Sequence, residues 1–238
     1  MRTFRLVSYN IHKARGLDGR TSIERIARVI EALNADVVVL QEVVNREGAK
    51  GDQVRFLSER LSYWPAIGEA RKHEGAPYGN VTLSRRRILE SRQFDLTVPG
   101  HEERCALRTD IPVGPGLVHV FNLHLGTNFF ERRKQAVRLI EEDVLTAIDI
   151  SGPRIVAGDF NEWTRGLVSR RLSNEFDDLR KHLGRRRAYP SGIPLLGLDH
   201  AYFDRHLEVE KAYFEINRRS LLASDHLPLV VDFRLKRP

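Results

Sequence analysis

Residues 154–161 read Arg-Ile-Val-Ala-Gly-Asp-Phe-Asn: a short apolar run, a glycine, then an Asp and an Asn two positions apart. Strand side chains alternate between faces, so Asp159 and Asn161 are expected to project together from a strand's carboxyl end, with Phe160 turned into the packing. A carboxylate and a carboxamide are thereby aimed at one spot, and in α/β proteins ligands gather outside the carboxyl ends of strands. The same residues also suit a turn, because Gly, Asp and Asn are common turn formers. Further polar residues at strand ends are Asn10, Glu42, Asn80, His124, Asp199, Asp225 and His226. Three of the carboxylates, Glu42, Asp159 and Asp225, could gather at one metal. Few carboxylates, completed by waters and phosphate oxygens, suit a hard cation, so Mg²⁺ or Mn²⁺ is expected ahead of zinc. Singly, each residue has a plain alternative: a turn former, a half-buried histidine, a local ion pair, or for Tyr78 a core aromatic. Coincidence explains one of them easily and the whole set poorly.

The elements that must position these residues follow from periodicity. Phe4 to Tyr9 alternates like a strand and delivers Asn10; Val37 to Leu40 is a buried-type strand that delivers Gln41 and Glu42. Between them Thr21-Ser22-Ile23-Glu24 reads as a capping box ahead of Ile23, Ile26, Ala27, Ile30 and Leu33 on one helical face. A second helix is expected over 52–61, and the stretch around Gly75-Ala76-Pro77 reads as a loop leading to Tyr78 to Ser84. Short strands in meander order follow at 88–96, 105–111 and 117–123, the last ending in His124. A long helix over 130–150, with Val137, Ile140, Val144 and Ile148 on one face, returns the chain to Asp159. Residues 174–183 read as a helix, 185–197 as a basic surface loop, and 198–203, 207–214 and 224–233 supply the last strands. With no polar linker in the middle and no internal repeat, residues 1–238 read as one α/β domain containing two packed sheets.

Composition bounds the function more loosely. The net charge is +7, with arginine concentrated in Arg85-Arg86-Arg87, Arg132-Arg133, Arg170-Arg171 and Arg185-Arg186-Arg187. A basic excess favours a polyanionic partner, nucleic acid or an anionic lipid head group, without choosing between them. Cys105 is the only cysteine, so no internal disulfide can form. Met1-Arg2-Thr3 leads straight into a strand with no apolar run long enough for a signal peptide or membrane span, so a soluble cytoplasmic protein is expected.

Taken in order, Ser8-Tyr9-Asn10, Leu40-Gln41-Glu42-Val43, Tyr78-Gly79-Asn80, Asn122-Leu123-His124-Leu125, Gly158-Asp159-Phe160-Asn161, Leu198-Asp199-His200 and Ser224-Asp225-His226 resemble the endonuclease/exonuclease/phosphatase family of metal-dependent phosphohydrolases. The resemblance implies a four-layer αββα sandwich of two mixed sheets with its site at the top of both. It implies that Glu42 is the principal metal ligand, helped by Asn10 and by Asp225 directly or through water. Asp159 would be the general base or orienter of the attacking water, and Asn161 would hold that water or a phosphate oxygen. His226, oriented by Asp199, would stabilise the phosphoryl charge, with His124 and Asn80 gripping the same group and Tyr78 at the family's tyrosine position. Tyr189-Pro190-Ser191 resembles the loop ahead of the family's final site strands. Arg104 is read either as a phosphate clamp or as an edge-strand arginine in solvent; His12 has no assigned role. Trp163 could stack a base, contribute to an apolar rim, or simply pack.

The leading function is therefore Mg²⁺-dependent phosphodiester hydrolysis by in-line attack of an activated water, with DNA the favoured substrate on charge. The alternative substrate is a phospholipid or a small phosphorylated molecule, which predicts an apolar rim near the site. A non-catalytic binding module of the same fold would be expected to have lost its site carboxylates, and Glu42, Asp159, Asp199 and Asp225 are all present.

Overall fold

The protein was examined as a computed structural model that describes residues 3–46, 52–114, 116–141, 144–145, 150, 152–164 and 166–236. Its strands are β1 (Thr3–Asn10), β2 (Val37–Val44), β3 (Trp64–His73), β4 (Ala76–Ser84), β5 (Glu90–Asp95), β6 (Cys105–Val113), β7 (Gly116–His124), β8 (Arg154–Asp159), β9 (Asp177–Asp178), β10 (Asp199–Phe203), β11 (Leu207–Phe214) and β12 (Leu229–Leu235). Its helices are α1 (Ile23–Leu33), α2 (Gln53–Leu61), α3 (Phe129–Glu141), α4 (Leu167–Glu175) and α5 (Arg218–Ala223). Two six-stranded sheets form, in the orders β11-β12-β1-β2-β4-β3 and β5-β6-β7-β8-β10-β9. Each has one parallel pair at its centre, β1 with β2 and β7 with β8, and antiparallel neighbours outside it.

Strand alternation sorts the side chains into three apolar layers. Phe4, Leu6, Val37, Val39, Val118, Val120, Ile155, Ala157, Ala201 and Phe203 fill the space between the sheets. Val7, Tyr9, Val38 and Leu40 face α1 and α2, while Phe121, Leu123, Val156, Phe160 and Tyr202 face α3 and α4. The result is the expected αββα sandwich in one domain. The positions that continue the inter-sheet face past the apolar layer are Asn10, Asn122, His124, Asp159 and Asp199, all buried. Gly158 makes this possible. Its φ is +148°, and a Cβ there would lie 1.9 Å from the Leu123 carbonyl oxygen, so only glycine lets β8 run this close to β7.

Several local expectations give way. Ser22 caps α1 by position but makes no side-chain capping bond, so the expected capping box is absent. Residues 64–73 form β3, which was not anticipated, and the loop expected around Gly75-Ala76-Pro77 shrinks to the tight turn at Glu74-Gly75; β3 is an edge strand, exposed along one side, and so carries Glu69, Arg71 and Lys72. The helix expected over 130–150 ends at Glu141; Val144 and Leu145 form a buried turn, and Ile148 lies outside the described residues. The helix expected over 174–183 lies earlier, as α4, because Val168, Leu172 and Phe176 supply the buried stripe. Asp178 then accepts from the Arg180 amide and starts a 3-10 turn at Leu179–His182. Helix α5, unanticipated, is held by a capping box from Asn217.

Candidate active site

The second sheet contributes its side chains by plain alternation. Asp159, at the end of β8, is 2 % exposed and is the hub. Its Oδ1 accepts from the Asn161 amide (2.9 Å) and its Oδ2 from Asn10 Nδ2 (3.0 Å). Nε2 of His124 and Nε2 of His226 lie 3.6 and 3.7 Å from the same Oδ2. These contacts are electrostatic rather than hydrogen-bonded, which leaves both ring N–H groups available to substrate oxygens.

The two imidazoles carry different charge. Arg104 Nη1 lies 2.9 Å from His124 Nδ1, and a guanidinium can only donate, so that nitrogen accepts and the proton of His124 sits on Nε2. Burial and the Arg104 cation push His124 down to about 4, outweighing Asp159 and Glu42. His226 instead faces Asp199 Oδ2 through Nδ1 at 2.9 Å. Burial opposes its charge, but Asp199, Asp159 and Asp225 together raise it to about 10. At neutral pH, Asp159 is thus flanked by one neutral and one cationic imidazole, each with an N–H at Nε2. Burial raises the Asp159 pKa above the ordinary carboxylate range, with both imidazoles opposing, which makes it a stronger base than a surface aspartate. Tyr189, in the loop before β10, packs over His226 with ring centroids 4.7 Å apart.

The first sheet contributes by breaking its own pattern. Alternation would send Glu42 toward α1, with Leu40. Instead the register of β2 shifts between Leu40 and Val43, and Glu42 adopts a left-handed backbone with φ +58°. Its carboxylate then meets Asn10 Nδ2 (3.2 Å) and Lys13 Nζ (2.5 Å). Lys13 arrives from His12-Lys13-Ala14, three successive residues of positive φ. Burial would raise Glu42, but His124, Lys13 and Asn10 hold it down at about 2. Lys13 is a site residue that sequence reasoning missed, since nothing in its spacing separates it from a solvated loop lysine.

Other expected residues have mixed fates. Asn161 is buried, but its left-handed backbone (φ +50°) and the bond from its Nδ2 to the Leu125 carbonyl place it, not strand alternation, because β8 ends at Asp159. Asn80 donates to the carbonyls of Cys105 (2.9 Å) and Asn122 (3.3 Å), so its amide ties the sheets together and is not aimed at a phosphate. Tyr78 is buried beside Glu42, with Arg71 stacked 4.3 Å from its ring centre; burial and Glu42 raise its pKa. Arg104 is not in solvent: it is 5 % exposed and held by Glu102 at 2.6 Å. His12 pairs with Asp225, Nδ1 to Oδ1 at 3.3 Å.

The donor set bears on a metal. Among the described residues no group of three His, Cys, Asp or Glu side chains is arranged to hold an ion. The expected gathering of Glu42, Asp159 and Asp225 is therefore corrected: Asp159 is enclosed by imidazoles and Asp225 turns to His12. What remains, one ionised half-buried carboxylate with an ammonium resting on it, fits a hard cation that keeps most of its water, and lacks the nitrogen or sulfur cage of a zinc site.

A buried aspartate between two imidazole N–H donors, beside an ionised glutamate, at the top of an αββα sandwich, offers a base and donors of the kind a phosphoryl group needs. The chain belongs to the Endonuclease/Exonuclease/phosphatase family, whose sequence profile matches residues 7–226. It is accordingly a hydrolase of phosphoester bonds, in a family that depends on divalent metals. Protein YbhP of Escherichia coli (strain K12) is 27 % identical over 98 % of this chain and 97 % of its own length. The crystal structure of an endonuclease/exonuclease/phosphatase from Beutenbergia cavernae DSM 12333 is 27 % identical, covering 99 % of this chain and 72 % of that one with a TM-score of 0.83. In fold alone, the chain also matches a mannosyl-6-phosphatase of Bacteroides thetaiotaomicron VPI-5482 (17 % identity, 97 % of this chain and 99 % of that one, TM-score 0.77).

Proposed function

We propose that the protein is a Mg²⁺-dependent phosphodiesterase in which Asp159 activates or orients the attacking water. The observation that carries this is the pair of Nε2–H groups, one neutral and one cationic, facing the same oxygen of Asp159. A phosphoryl group held there meets a base on one side and donors for its developing charge on the other. His226, held in its charged form by Asp199, stabilises the phosphoryl oxygens; His124, held neutral by Arg104, donates without adding charge. Asn161 fixes Asp159 through its backbone amide and leaves its carboxamide oxygen for the water. Glu42 would hold the cation, with Asn10 as the neighbouring oxygen donor and Asp225 reaching it through water; the ion would supply Lewis-acid charge against the phosphate. Tyr78 closes the side of the site at Glu42.

The substrate is a separate matter, since one fold hosts many phosphoesters. The net charge of +7 supports a nucleic-acid strand, DNA above all, and a single buried cysteine suits a cytoplasmic enzyme. A second reading, a phospholipid, is favoured by exposed apolar side chains on the loops around the site. No described helix is long and apolar enough to cross a membrane. The test is Mg²⁺-dependent hydrolysis of bis(p-nitrophenyl) phosphate, labelled single-stranded, duplex and abasic-site DNA, and phosphatidylglycerol, with His226→Ala as control. Turnover of the diester by wild type alone supports the reading; no turnover of any of them by wild type in Mg²⁺ or Mn²⁺ refutes it.

A further inference from the structure

Large apolar side chains left in water concentrate around one mouth. Leu17, Phe129, Phe130, Trp163, Ile193 and Leu195 are 47, 54, 69, 67, 70 and 59 % exposed. Each sits at the site end of the sandwich, Leu17, Trp163, Ile193 and Leu195 on loops and Phe129 and Phe130 on the first turn of α3. Leu17 follows β1, the strand of Asn10; Phe129 and Phe130 follow β7, the strand of His124; Trp163 follows β8, the strand of Asp159; Ile193 and Leu195 precede β10, the strand of Asp199. The loops touch one another and the site. The segment 125–128 binds 159–161 through Leu125 N to the Asp159 carbonyl. A Cβ on Gly192 would lie 3.2 Å from Leu17 Cδ1. Trp163 and Leu195 line one groove of about 620 Å³, whose other walls include Lys181, Arg186 and Arg187. The 189–196 loop meets the site through Tyr189 over His226 and through the Ser191 amide on the Asp225 carbonyl.

We propose that this rim docks on an anionic lipid bilayer and presents the site to a head-group phosphodiester, an inference that rests on the phosphodiesterase reading. Isolated exposed leucines are ordinary, but apolar tips from three separate loops and the first turn of α3, all at one end of the sandwich, are not. Aromatic and aliphatic tips suit the boundary between head groups and acyl chains, and the exposed Arg185, Arg186 and Arg187 behind them suit the lipid phosphates. A nucleic-acid track would favour open stacking faces in line with basic side chains. Here Phe129 and Phe130 close edge to face at 79°, and Leu17, Ile193 and Leu195 offer a base no flat face.

The test is co-sedimentation with vesicles of phosphatidylcholine alone or mixed with phosphatidylglycerol, run beside binding of a labelled oligothymidine. Wild type is expected to sediment with the anionic vesicles and to be released by salt. Ile193→Asp/Leu195→Asp and, separately, Arg186→Glu/Arg187→Glu should each weaken binding by about tenfold or more. Both variants should turn over the water-soluble bis(p-nitrophenyl) phosphate at the wild-type rate, which shows that the fold and site are intact. In a Trp64→Phe background, Trp163 emission should shift to the blue on binding. Wild type remaining in the supernatant with anionic vesicles overturns the proposal, as does equal binding by the Ile193→Asp/Leu195→Asp variant. Oligothymidine binding in place of vesicle binding, lost in Arg186→Glu/Arg187→Glu, assigns the surface to nucleic acid and overturns it too. Loss of diester hydrolysis in wild type would refute the reading of the site and leave the vesicle result standing on its own.

Discussion

The two sheets build their halves of the site by opposite means. The second sheet needs nothing beyond alternation: His124, Asp159 and Asp199 extend the inter-sheet face already occupied by Val120, Ala157 and Ala201. The first sheet places Asn10 in the same space by alternation, but brings Glu42 and Lys13 there through a bulge, a left-handed Glu42 and the left-handed run His12-Lys13-Ala14. Such backbone costs on the order of 1–3 kcal/mol per residue and persists only where its surroundings over-determine it. The base Asp159 and the neutral imidazole His124 therefore stand on strands, the cationic imidazole His226 comes from the loop before β12, and the glutamate proposed for the metal stands on a segment held by Asn10 and Lys13. The contrast suggests that the phosphoryl-binding half is set by the fold, and that the metal-binding half is poised to adjust when the cation replaces an ammonium.

Mutations should separate the halves. His226→Ala removes the cationic donor beside Asp159 and should lower turnover at least about a hundredfold, with KM changing less and the Tm within a few degrees of wild type. Turnover within a few-fold of wild type would remove His226 from its role. Arg104→Met should cost about tenfold, because His124 loses the donor that fixes its tautomer. Its pKa should rise from about 4 toward the ordinary histidine value, visible in ring-proton NMR titrations. An unmoved His124 titration would show that Arg104 does not set its protonation. On the other side, Lys13→Met should improve apparent Mg²⁺ affinity several-fold, since the ammonium on Glu42 competes with the cation. Weaker Mg²⁺ dependence in that variant would instead make Lys13 part of the substrate grip.

The smallest effect is on stability against pH. His226 has its folded-state pKa raised to about 10 from 6.5, so its stabilisation is fully present below pH 6.5 and lost as pH rises through 10. His124 is depressed from 6.5 to about 4, so folding disfavours its protonation and stability falls as pH drops from 6.5 toward 4. The two slopes meet near pH 6.5. Thermal unfolding should show its highest Tm there and a loss on the order of 10 °C by pH 9.5, and His226→Asn should flatten only the alkaline side. A Tm that still rises above pH 8 would contradict the charge assigned to His226.

The same contrast explains what could be read beforehand. Strand ends that obey a period of two announce their functional residues, so Asp159, His124, Asp199 and two packed sheets were legible, and the αββα layering came from the family resemblance. Glu42 was found as a strand-end residue and as a motif position, but not its geometry, because no periodicity predicts a left-handed glutamate. Lys13 was invisible for the same reason. Asn80 was over-read, since a motif position does not say that its amide is engaged with Cys105 and Asn122 across the sheets. Edge strand β3 went unassigned because the charges that protect an edge imitate solvent-exposed coil. The shared metal of Glu42, Asp159 and Asp225 failed because spacing shows which residues reach one end of the sandwich, not which way each carboxylate turns.

The central claim is that Asp159, between a neutral and a charged imidazole, drives phosphodiester hydrolysis. The direct measurement is Mg²⁺-dependent turnover of bis(p-nitrophenyl) phosphate by Asp159→Asn, an isosteric change that keeps the fold and removes the base. A fall of about a hundredfold or more, with the Tm preserved, is the predicted result. Turnover within a few-fold of wild type would contradict the account and move the base elsewhere in the site.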